Sequence, residues 1–394
     1  MTRPDVFLVS AEPSGDQLSI SLIRSLRRKR SEVRLEAIGG TAIEAAGLSS
    51  QMSVDGLSVL GFVEGLKAYT HVLAKVREAT DIILRSDPAM VVLIDSWGFM
   101  VRVAKRLKAK GYRGLIVKYV APQVWAMRPG RAKVLARYVD HLLSIQPMDA
   151  PHFEAAMLPQ TYVGNPVFDT DFTGGDGNAF RSRHGLDGTA PIIGFFFGSR
   201  PSEIDRVGPA IVATHQHLLT QWPDLQAVYV LADAVRDRSE TLIDGVGAVR
   251  VGQDELLDAL AALDGAVACS GTVTTQLASA GVPTVVLYEL SPLTFFFASR
   301  LFVPRYISIV NIAADGPDHD LDAPLMPEFM QDEIHTAAPA NALIEILKDE
   351  DSATGRRNAL LTQTRRMGAN VGSASDRAAD AILTLLDQRA EIGT

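Results

Sequence analysis

Cysteine is almost absent from this 394-residue chain, in which Cys269 is the only one. A lone cysteine excludes an internal disulfide and is typical of a protein in a reducing compartment. Long apolar runs are missing too, since none approaches the ~18 residues of a membrane-spanning helix. No secretory signal pattern opens the sequence. We therefore expect a cytoplasmic protein that is soluble or peripheral to a membrane.

Several familiar ligand motifs are also lacking. Neither half carries G-x-G-x-x-G after its first predicted strand, and no G-x-x-x-x-G-K-[ST] occurs, which argues against a nicotinamide dehydrogenase or a P-loop enzyme. His215 and His217 are predicted on a helix surface, without the spacing of a three-ligand metal site. The D-x-D triplets Asp169–Asp171 and Asp318–Asp320 lie in loop-like segments and are predicted at the surface. We expect no metal and no cofactor.

Charge is unevenly distributed along the chain. Residues 1–150 hold 22 Lys and Arg against 14 Asp and Glu (+8), and the remainder hold 16 against 32 (−16). Basic residues cluster at Arg24–Arg30, Arg102–Arg113 and Arg128–Arg137. Such clusters are often solvated helix faces, but the asymmetry favours an anionic partner for the first half. Without interleaved stacking aromatics or an RNA-binding motif, a nucleic acid is not expected; an anionic membrane surface or a phosphorylated substrate fits better.

Short apolar runs alternate with helical patterns twice along the chain, which predicts two doubly wound parallel sheets of the α/β class. The break lies near Asp169–Asn178, a segment rich in Gly and Asp. We predict domains at 1–170 and 180–364, with the helical tail, about 365–394, packing back on the first. The predicted strands are Val6–Ser10, Arg34–Ile38, Met90–Ile94, Leu115–Val120, His141–Ile145, Ile192–Phe197, Ala227–Leu231, Ala248–Val251, Gly265–Cys269 and Thr284–Tyr288.

Turns that follow strands are the places to look for chemistry, because open parallel sheets bind ligands beyond the carboxyl ends of their strands. In the first half, Glu12 and Asp95 occupy such turns. Asp95 is either the N-cap of a helix from about Phe99 or a general base. Glu12 places a carboxylate at the end of the first predicted strand, whereas Ser14 or Asp16 is predicted to cap the helix that follows.

The second half offers two candidate anion sites at strand ends. Gly198-Ser199-Arg200 combines close backbone approach with a guanidinium group. Ser270-Gly271-Thr272 opens a helix whose N–H groups would favour a diphosphate, although a plain Ser N-cap is the alternative. A loop in the first half places Trp125 among Lys118, Arg128 and Arg131, which suggests a sugar or headgroup anchor, although tryptophan is more often buried.

Taken together, these strings resemble the lipid-A-disaccharide synthase family. The resemblance covers more than 300 residues in order: "AEPSGD" (11–16), Gly39-Gly40 with Gly47, "GLSVLGFVEGL" (56–66), Ile94-Asp95, "YVAPQVWAMRPGR" (119–131), "VGNP" (163–166), Gly198-Ser199-Arg200 with Glu203, Ser270-Gly271-Thr272, "PTVVLY" (283–288), Val310-Asn311 and "MPEFMQ" (326–331). It implies a glycosyltransferase of the B-type fold, with two Rossmann-like domains facing a cleft, from a Gram-negative bacterium.

The resemblance also implies a reaction, namely inverting transfer of 2,3-diacylglucosamine from its UDP derivative to the 6′-hydroxyl of 2,3-diacylglucosamine 1-phosphate in lipid A biosynthesis. Asp95 and Glu12 would be catalytic, with the acceptor in the first domain and the UDP-sugar in the second. The implied substrate-binding residues are Ser199, Arg200, Ser270, Gly271, Thr272, Gln276, Tyr288, Asn311, Glu328, Gln331 and Trp125. The expected location is the cytoplasmic side of the inner membrane, bound peripherally, and a homodimer stays open.

Two apolar stretches, Leu57–Leu66 and Leu293–Val303, are expected to receive acyl chains or touch the membrane, although a plain core is the alternative. Two other functions remain open as well. One is another UDP-sugar transferase or epimerase of the same architecture. The other is a nucleotide- or lipid-binding relative with impaired catalysis, which Gly98, Met100 and Gln276 suggest because family members usually carry other residues there.

Overall fold

The computed structural model describes residues 3–57, 65–186, 190–316, 318–369 and 371–392. The chain divides into two compact units. The first comprises Met1–Asp169 with Gly372–Thr394, and the second comprises Thr170–Val371. Each unit is built around its own parallel sheet of six strands, so the predicted pair of doubly wound sheets is confirmed.

The sheet of the first unit has the strand order β2-β1-β3-β4-β5-β6. Its strands are β1 (Val6–Val9), β2 (Leu35–Ile38), β3 (Met90–Ile94), β4 (Leu115–Tyr119), β5 (His141–Ser144) and β6 (Gln160–Tyr162). Its helices are α1 (Pro13–Lys29), α2 (Gly65–Ser86), α3 (Trp97–Ala109), α4 (Gly130–Ala136), α5 (Ala150–Glu154) and the C-terminal α15 (Ala374–Ile392). The order of the strands along the chain reverses between β1 and β3.

The sheet of the second unit has the order β12-β11-β10-β7-β8-β9, and its strand order reverses between β7 and β10. Its strands are β7 (Ile192–Phe196), β8 (Gln226–Val230), β9 (Val249–Val251), β10 (Gly265–Cys269), β11 (Thr284–Tyr288) and β12 (Glu328–Met330). Its helices are α6 (Gly177–His184), α7 (Pro201–Gln221), α8 (Arg236–Leu242), α9 (Leu256–Ala262), α10 (Thr272–Ser279), α11 (Pro292–Leu301), α12 (Ile309–Asp315), α13 (Ala338–Ile346) and α14 (Glu350–Arg366).

Both faces of each sheet are covered, which explains why the strands are continuous apolar runs rather than alternating ones. In β1, Phe7 and Val9 pack into one core, whereas Val6 and Leu8 pack into the core on the opposite face. All ten predicted strands exist, and their ends agree to within one residue. β6 and β12 were not predicted, because each has only three residues (QTY and EFM) and neither forms a run of apolar or β-branched side chains.

Helix α15 returns to the first unit and packs along α1, burying Ile382 and Leu386. Three members of the basic cluster Arg24–Arg30 bind its acidic face. Lys29 reaches Asp380 at 2.8 Å and Arg30 reaches Asp387 at 2.7 Å, while Arg28 pairs with Asp376. These three cations therefore hold the chain's own terminal helix rather than an external anion.

Asp169, from the first D-x-D triplet, anchors the start of α15. Its carboxylate accepts hydrogen bonds from the Ala374 N–H at 2.6 Å and from the hydroxyls of Ser373 and Ser375 at 3.0 Å. Asp171, two residues later, bonds only locally to Thr173 in the described structure. The same residue type therefore has a tertiary role at one position and a local role at the other.

This difference gives a stability prediction. We expect Asp169→Ala to lower the free energy of unfolding by about 2 kcal/mol, because several donors at the start of α15 lose their acceptor. The matched change Asp171→Ala should stay within ~0.5 kcal/mol of wild type. Urea unfolding of both variants, followed by circular dichroism, measures the difference. Equal stabilities would show that Asp169 does not anchor the helix.

Candidate functional site

Glu12 and Asp95 come together at the carboxyl edge of the first sheet. Glu12 follows β1 and opens α1, and Asp95 follows β3, the neighbour of β1 in the sheet. Both side chains are half-buried. The strand order reverses between these two strands, which is where doubly wound sheets bind their ligands. The pair thus occupies the preferred ligand position of this sheet.

The backbone around Asp95 is strained. Asp95 has φ +53° and Ser96 has φ +36°, and both values lie in the left-handed region that side chains disfavour. The Asp95 carboxylate accepts a hydrogen bond from the Ser14 hydroxyl at 3.0 Å. Ser14 lies in the first turn of α1, where the helix dipole favours negative charge. The alternative role of Asp95 as a helix cap is wrong, since α3 begins at Trp97 after Ser96, with no side-chain cap.

The predicted cap of α1 by Ser14 or Asp16 is also wrong. The N-cap position belongs to Glu12, without a side-chain cap bond, and Pro13 takes the first helical turn, for which its fixed φ is suited. Asp16 is 5% exposed and accepts the Gly40 N–H at 3.1 Å with both carboxylate oxygens. Asp16 therefore secures the turn after β2 instead of capping α1.

The surroundings of Trp125 differ from the predicted cluster of cations. Its indole N–H donates to Asp149 at 3.1 Å, and burial raises the pKa of Asp149 to about 7. Arg131 stacks over the ring of Trp97, with 5.2 Å between guanidinium carbon and ring centroid. Lys118 is buried and donates to backbone carbonyls. A role for the half-buried Trp125 in substrate binding stays a prediction.

In the second unit, a cavity of about 290 Å³ opens at the carboxyl ends of β7 and β10, where that sheet reverses its strand order. Six of the predicted binding residues line it: Ser199, Arg200, Ser270, Gly271, Thr272 and Gln276. Val230, Gln253 and Leu256 also line it, and the sequence analysis missed them. Val230 is the last residue of β8 and Gln253 lies just after β9, and none of the three belongs to a motif that marks a ligand site.

The Gly198-Ser199-Arg200 turn already holds an anion from its own chain. The Glu203 carboxylate accepts the N–H groups of Ser199 at 3.0 Å and Arg200 at 3.2 Å. The Arg200 guanidinium donates to the other oxygen of Glu203 at 2.6 Å. The backbone N–H groups of Ser199 and Arg200 are therefore already occupied by Glu203 in this structure. Most of the Arg200 side chain, 73%, stays exposed, so its remaining donors can reach a ligand.

Helix α10 begins at Thr272 with Gly271 as its N-cap, at φ 160°, and no side chain caps it. The alternative of a plain Ser270 cap is therefore wrong. Uncapped N–H groups at a helix start favour an anion, and here they border the cavity. Gln276 lies one turn further along α10 and is half-buried in the cavity wall.

Three predicted binding residues serve the protein's own loops. Asn311 is fully buried, donates to the Met326 carbonyl and to Glu328, both at 2.7 Å, and accepts the Met326 N–H. A contact between Asn311 and substrate stays a prediction. Glu328 also accepts the N–H groups of Ile307 and Ser308. Burial raises the pKa of Glu328, against the effect of these hydrogen bonds. Gln331 bonds both backbone groups of Leu290.

Tyr288 ends β11, beside the cavity but outside its lining. Burial raises the pKa of its phenol, and the charges of Glu203 and Arg200 lie close enough to act on it. The prediction that His215 lies on a helix surface is wrong, because His215 is 2% exposed and bonds the Tyr229 hydroxyl at 3.0 Å. Burial lowers the pKa of His215 to about 4. Among the described residues, no cluster of three or more His, Cys, Asp or Glu could hold a metal ion.

The second of the two predicted apolar stretches is exposed to solvent. Residues 58–64, most of the first stretch, lie outside the described residues. The second stretch forms α11, which buries none of its side chains, so the alternative of a plain core is wrong there. The exposed fractions are 70% for Leu293, 55% for Phe297 and 64% for Val303. None of the described helices combines the length and the apolar character needed to cross a bilayer.

Comparison with known proteins adds a family match. Residues 6–382 match the family model "Lipid-A-disaccharide synthetase". The chain is 35% identical over 391 residues to the lipid-A-disaccharide synthase of Rhodospirillum centenum, covering 98% of this chain and 95% of that protein. It is also 35% identical to the synthase of Paramagnetospirillum magneticum, with 98% of each chain covered.

Solved structures match the fold. The S. aureus MnaA–UDP structure aligns with a TM-score of 0.64 at 11% identity, covering 98% of this chain and 97% of that one. MurG of Acinetobacter baumannii aligns with a TM-score of 0.56 at 12% identity, covering 97% and 100%. At these identities the likeness concerns architecture alone, which is that of B-type glycosyltransferases.

Proposed function

Because the chain belongs to the lipid-A-disaccharide synthase family, whose members are glycosyltransferases, we propose that it transfers 2,3-diacylglucosamine from its UDP derivative to the 6′-hydroxyl of 2,3-diacylglucosamine 1-phosphate. The products are the β-1,6-linked disaccharide 1-phosphate and UDP. The observation that carries the substrate assignment is that each sheet has several candidate residues at the point where its strand order reverses. One edge offers carboxylates and the other offers a cavity with anion-binding groups.

The donor binds the second unit in this proposal. Its UDP moiety occupies the cavity between β7 and β10, with the diphosphate at the start of α10. As the bond between the anomeric carbon and the diphosphate oxygen breaks, the electron pair leaves with UDP. Positive groups already in place stabilise that charge without having to reorganise. Arg200 and the first N–H groups of α10 supply them.

The acceptor binds the first unit, where Asp95 is the general base. Its carboxylate takes the proton of the 6′-hydroxyl as that oxygen attacks the anomeric carbon from the face opposite UDP. Inversion converts the α-linked donor into the β-linked product. The Ser14 hydroxyl, 3.0 Å from Asp95, orients the carboxylate, and Glu12 accepts hydrogen bonds from sugar hydroxyls.

The segment between β4 and β5 carries exposed cations that suit the acceptor's phosphate. Arg128, Lys133 and Arg137 are exposed, and they form no ion pair within the described part of the chain. Arg131, stacked on Trp97, lies beside the turn that carries Asp95. Arginine recognises phosphate oxygens through paired N–H donors. We assign the acceptor phosphate to this cluster, in contrast to Arg24–Arg30, three of whose members bind α15.

Helix α11 is the proposed membrane contact, which would place the enzyme at the inner membrane that holds its acylated substrates. The exposed side chains of Leu293, Phe296, Phe297 and Leu301 give this ten-residue helix an apolar surface, and Arg300 lies near its end. Burial of apolar area contributes about 25 cal/mol per Å². A basic side chain near an anionic surface adds about 1 kcal/mol.

A vesicle-binding experiment tests the role of α11. We expect Leu293→Ser with Phe297→Ser to reduce co-sedimentation with phosphatidylethanolamine–phosphatidylglycerol vesicles by about tenfold or more, because about 2 kcal/mol of apolar transfer is lost. The control is Met157→Ser, which removes an 89% exposed apolar side chain from the first unit and should bind as wild type does. Equal losses in the two proteins would contradict the assignment.

The direct test of function is an assay of purified protein with both acylated substrates. Formation of the disaccharide 1-phosphate together with one equivalent of UDP is the expected result. UDP release only with a non-acylated acceptor would instead indicate another UDP-sugar transferase. Binding of the donor without any turnover would indicate an impaired relative, and either outcome would overturn the proposal.

A further inference from the structure

Lys118 is the one charged residue of β4 and is 1% exposed. Burying an ammonium group is costly unless polar partners replace water. A lysine inside the otherwise apolar strand "LIVKY" therefore suggests a specific partner, and its contacts define what it does.

The amino group of Lys118 joins the ends of two neighbouring strands. Nζ donates to the carbonyl of Asp95 at 2.7 Å and to the carbonyl of Tyr119 at 2.9 Å. The Tyr119 carbonyl also accepts the Asp95 N–H at 3.0 Å. The turn after β3 and the turn after β4 thus share one network, and Lys118 is its centre.

Both turns in this network are conformationally strained. Asp95 and Ser96 have φ values of +53° and +36°, and Val120 has φ +70°, which is unusual for a β-branched residue. Such conformations persist only where the surrounding structure imposes them. Lys118 holds the carbonyl of Asp95 itself and the carbonyl immediately before Val120.

Charge complements this geometry. The charged groups that act on Lys118 are the carboxylates of Asp95 and Glu12 at the ends of β3 and β1. Burial lowers the pKa of Lys118 to about 7, although both carboxylates oppose that effect. In mildly acidic solution the side chain is an ammonium beside the two candidate catalytic carboxylates.

We propose that Lys118 is a positioning residue for Asp95. The amino group of Lys118 fixes the left-handed turn that aims the Asp95 carboxylate at the acceptor hydroxyl. Lys118 does this through the backbone carbonyl and does not touch substrate. The inference rests on the proposed function, because it takes Asp95 as the general base.

Two substitutions separate hydrogen bonding from charge. Lys118→Met keeps the apolar stem and removes the donor, and we expect kcat to fall by about 10–100-fold with each KM within ~3-fold of wild type. Lys118→Gln restores an N–H donor, so its kcat should be at least about threefold higher than that of Lys118→Met. In both variants the acidic limb of the kcat–pH profile should move to higher pH, since the positive charge that favours an ionised carboxylate is gone.

Lys108→Met is the matched control, because Lys108 lies in the same unit and pairs with Asp140 at 2.7 Å, away from this edge. Its kcat and pH profile should equal those of wild type. If the wild-type enzyme is active, any one of three results overturns this inference alone. These are an unchanged kcat in Lys118→Met, an equal kcat in the Met and Gln variants, and an acidic limb that does not move. If Lys118→Met does not fold, Lys118→Gln must still show the lower kcat and the shifted limb. Wild-type protein that forms no disaccharide overturns the proposed function first.

Discussion

Asp95→Asn is expected to lower kcat by about 10²–10⁴-fold, the usual contribution of a general base, while the KM for the UDP donor stays within ~3-fold. Asn has nearly the same shape and can still accept the Ser14 hydrogen bond, but it cannot take a proton at neutral pH. Asn tolerates left-handed backbone conformations, so the variant should keep the turn at position 95, where φ is +53°. Steady-state disaccharide formation with both acylated substrates measures the effect.

The control for this variant is Asp81→Asn on α2, where an exposed carboxylate lies 3.9 Å from Arg106. It removes the same charge from the same unit without touching the strand ends, so kcat should not change. A small effect of Asp95→Asn, no larger than that of Asp81→Asn, would exclude Asp95 as the base. A large rise in donor KM with unchanged kcat would instead assign Asp95 to donor binding.

Arg200→Ala is expected to lower kcat/KM for the UDP donor by about 10²–10³-fold, the loss typical of removing one preorganised charge-stabilising group. Arg200 lines the cavity and is the cation of the Gly198-Ser199-Arg200 turn. Its loss also leaves the Glu203 carboxylate, which is 10% exposed, without its 2.6 Å partner, so an unneutralised negative charge would face the diphosphate. Both effects lower kcat/KM for the UDP donor.

Initial rates at varied donor concentration, together with calorimetric titration of UDP, measure this effect. The control is Arg238→Ala, which removes an exposed arginine that pairs with Asp205 at 3.2 Å in the same unit and does not line the cavity. Donor kinetics of Arg238→Ala should equal those of wild type. If UDP affinity and kcat/KM are unchanged in Arg200→Ala, the diphosphate does not bind at this turn.

Much of the fold could be predicted because its signals are local. Strand–helix alternation depends on runs of five or so apolar residues, and both sheets and all ten predicted strands follow from it. The candidate residues at strand ends follow from one general property of parallel sheets, namely that their carboxyl ends share an edge. The placement of six predicted residues around one cavity depends on that property.

Partnerships between distant segments could not be predicted in the same way. Whether Asp16 caps its own helix or bonds Gly40, and whether Asn311 faces a ligand or the Met326 backbone, depends on which segments pack together. Short polar side chains can satisfy either arrangement, so residue type alone does not discriminate between them. The internal pairing of Glu203 with the turn at Ser199 is of the same kind.

The amino-acid sequence by itself determined the α/β architecture, the family and the residues at the strand ends, because periodicity and collinear motifs are properties of the chain. Only the tertiary structure decided which of those residues meet a cavity, which bind the protein's own loops, and that Lys118 joins two strained turns next to Asp95. The physical reason is that hydrogen bonding and desolvation depend on neighbours that folding brings together from distant parts of the chain.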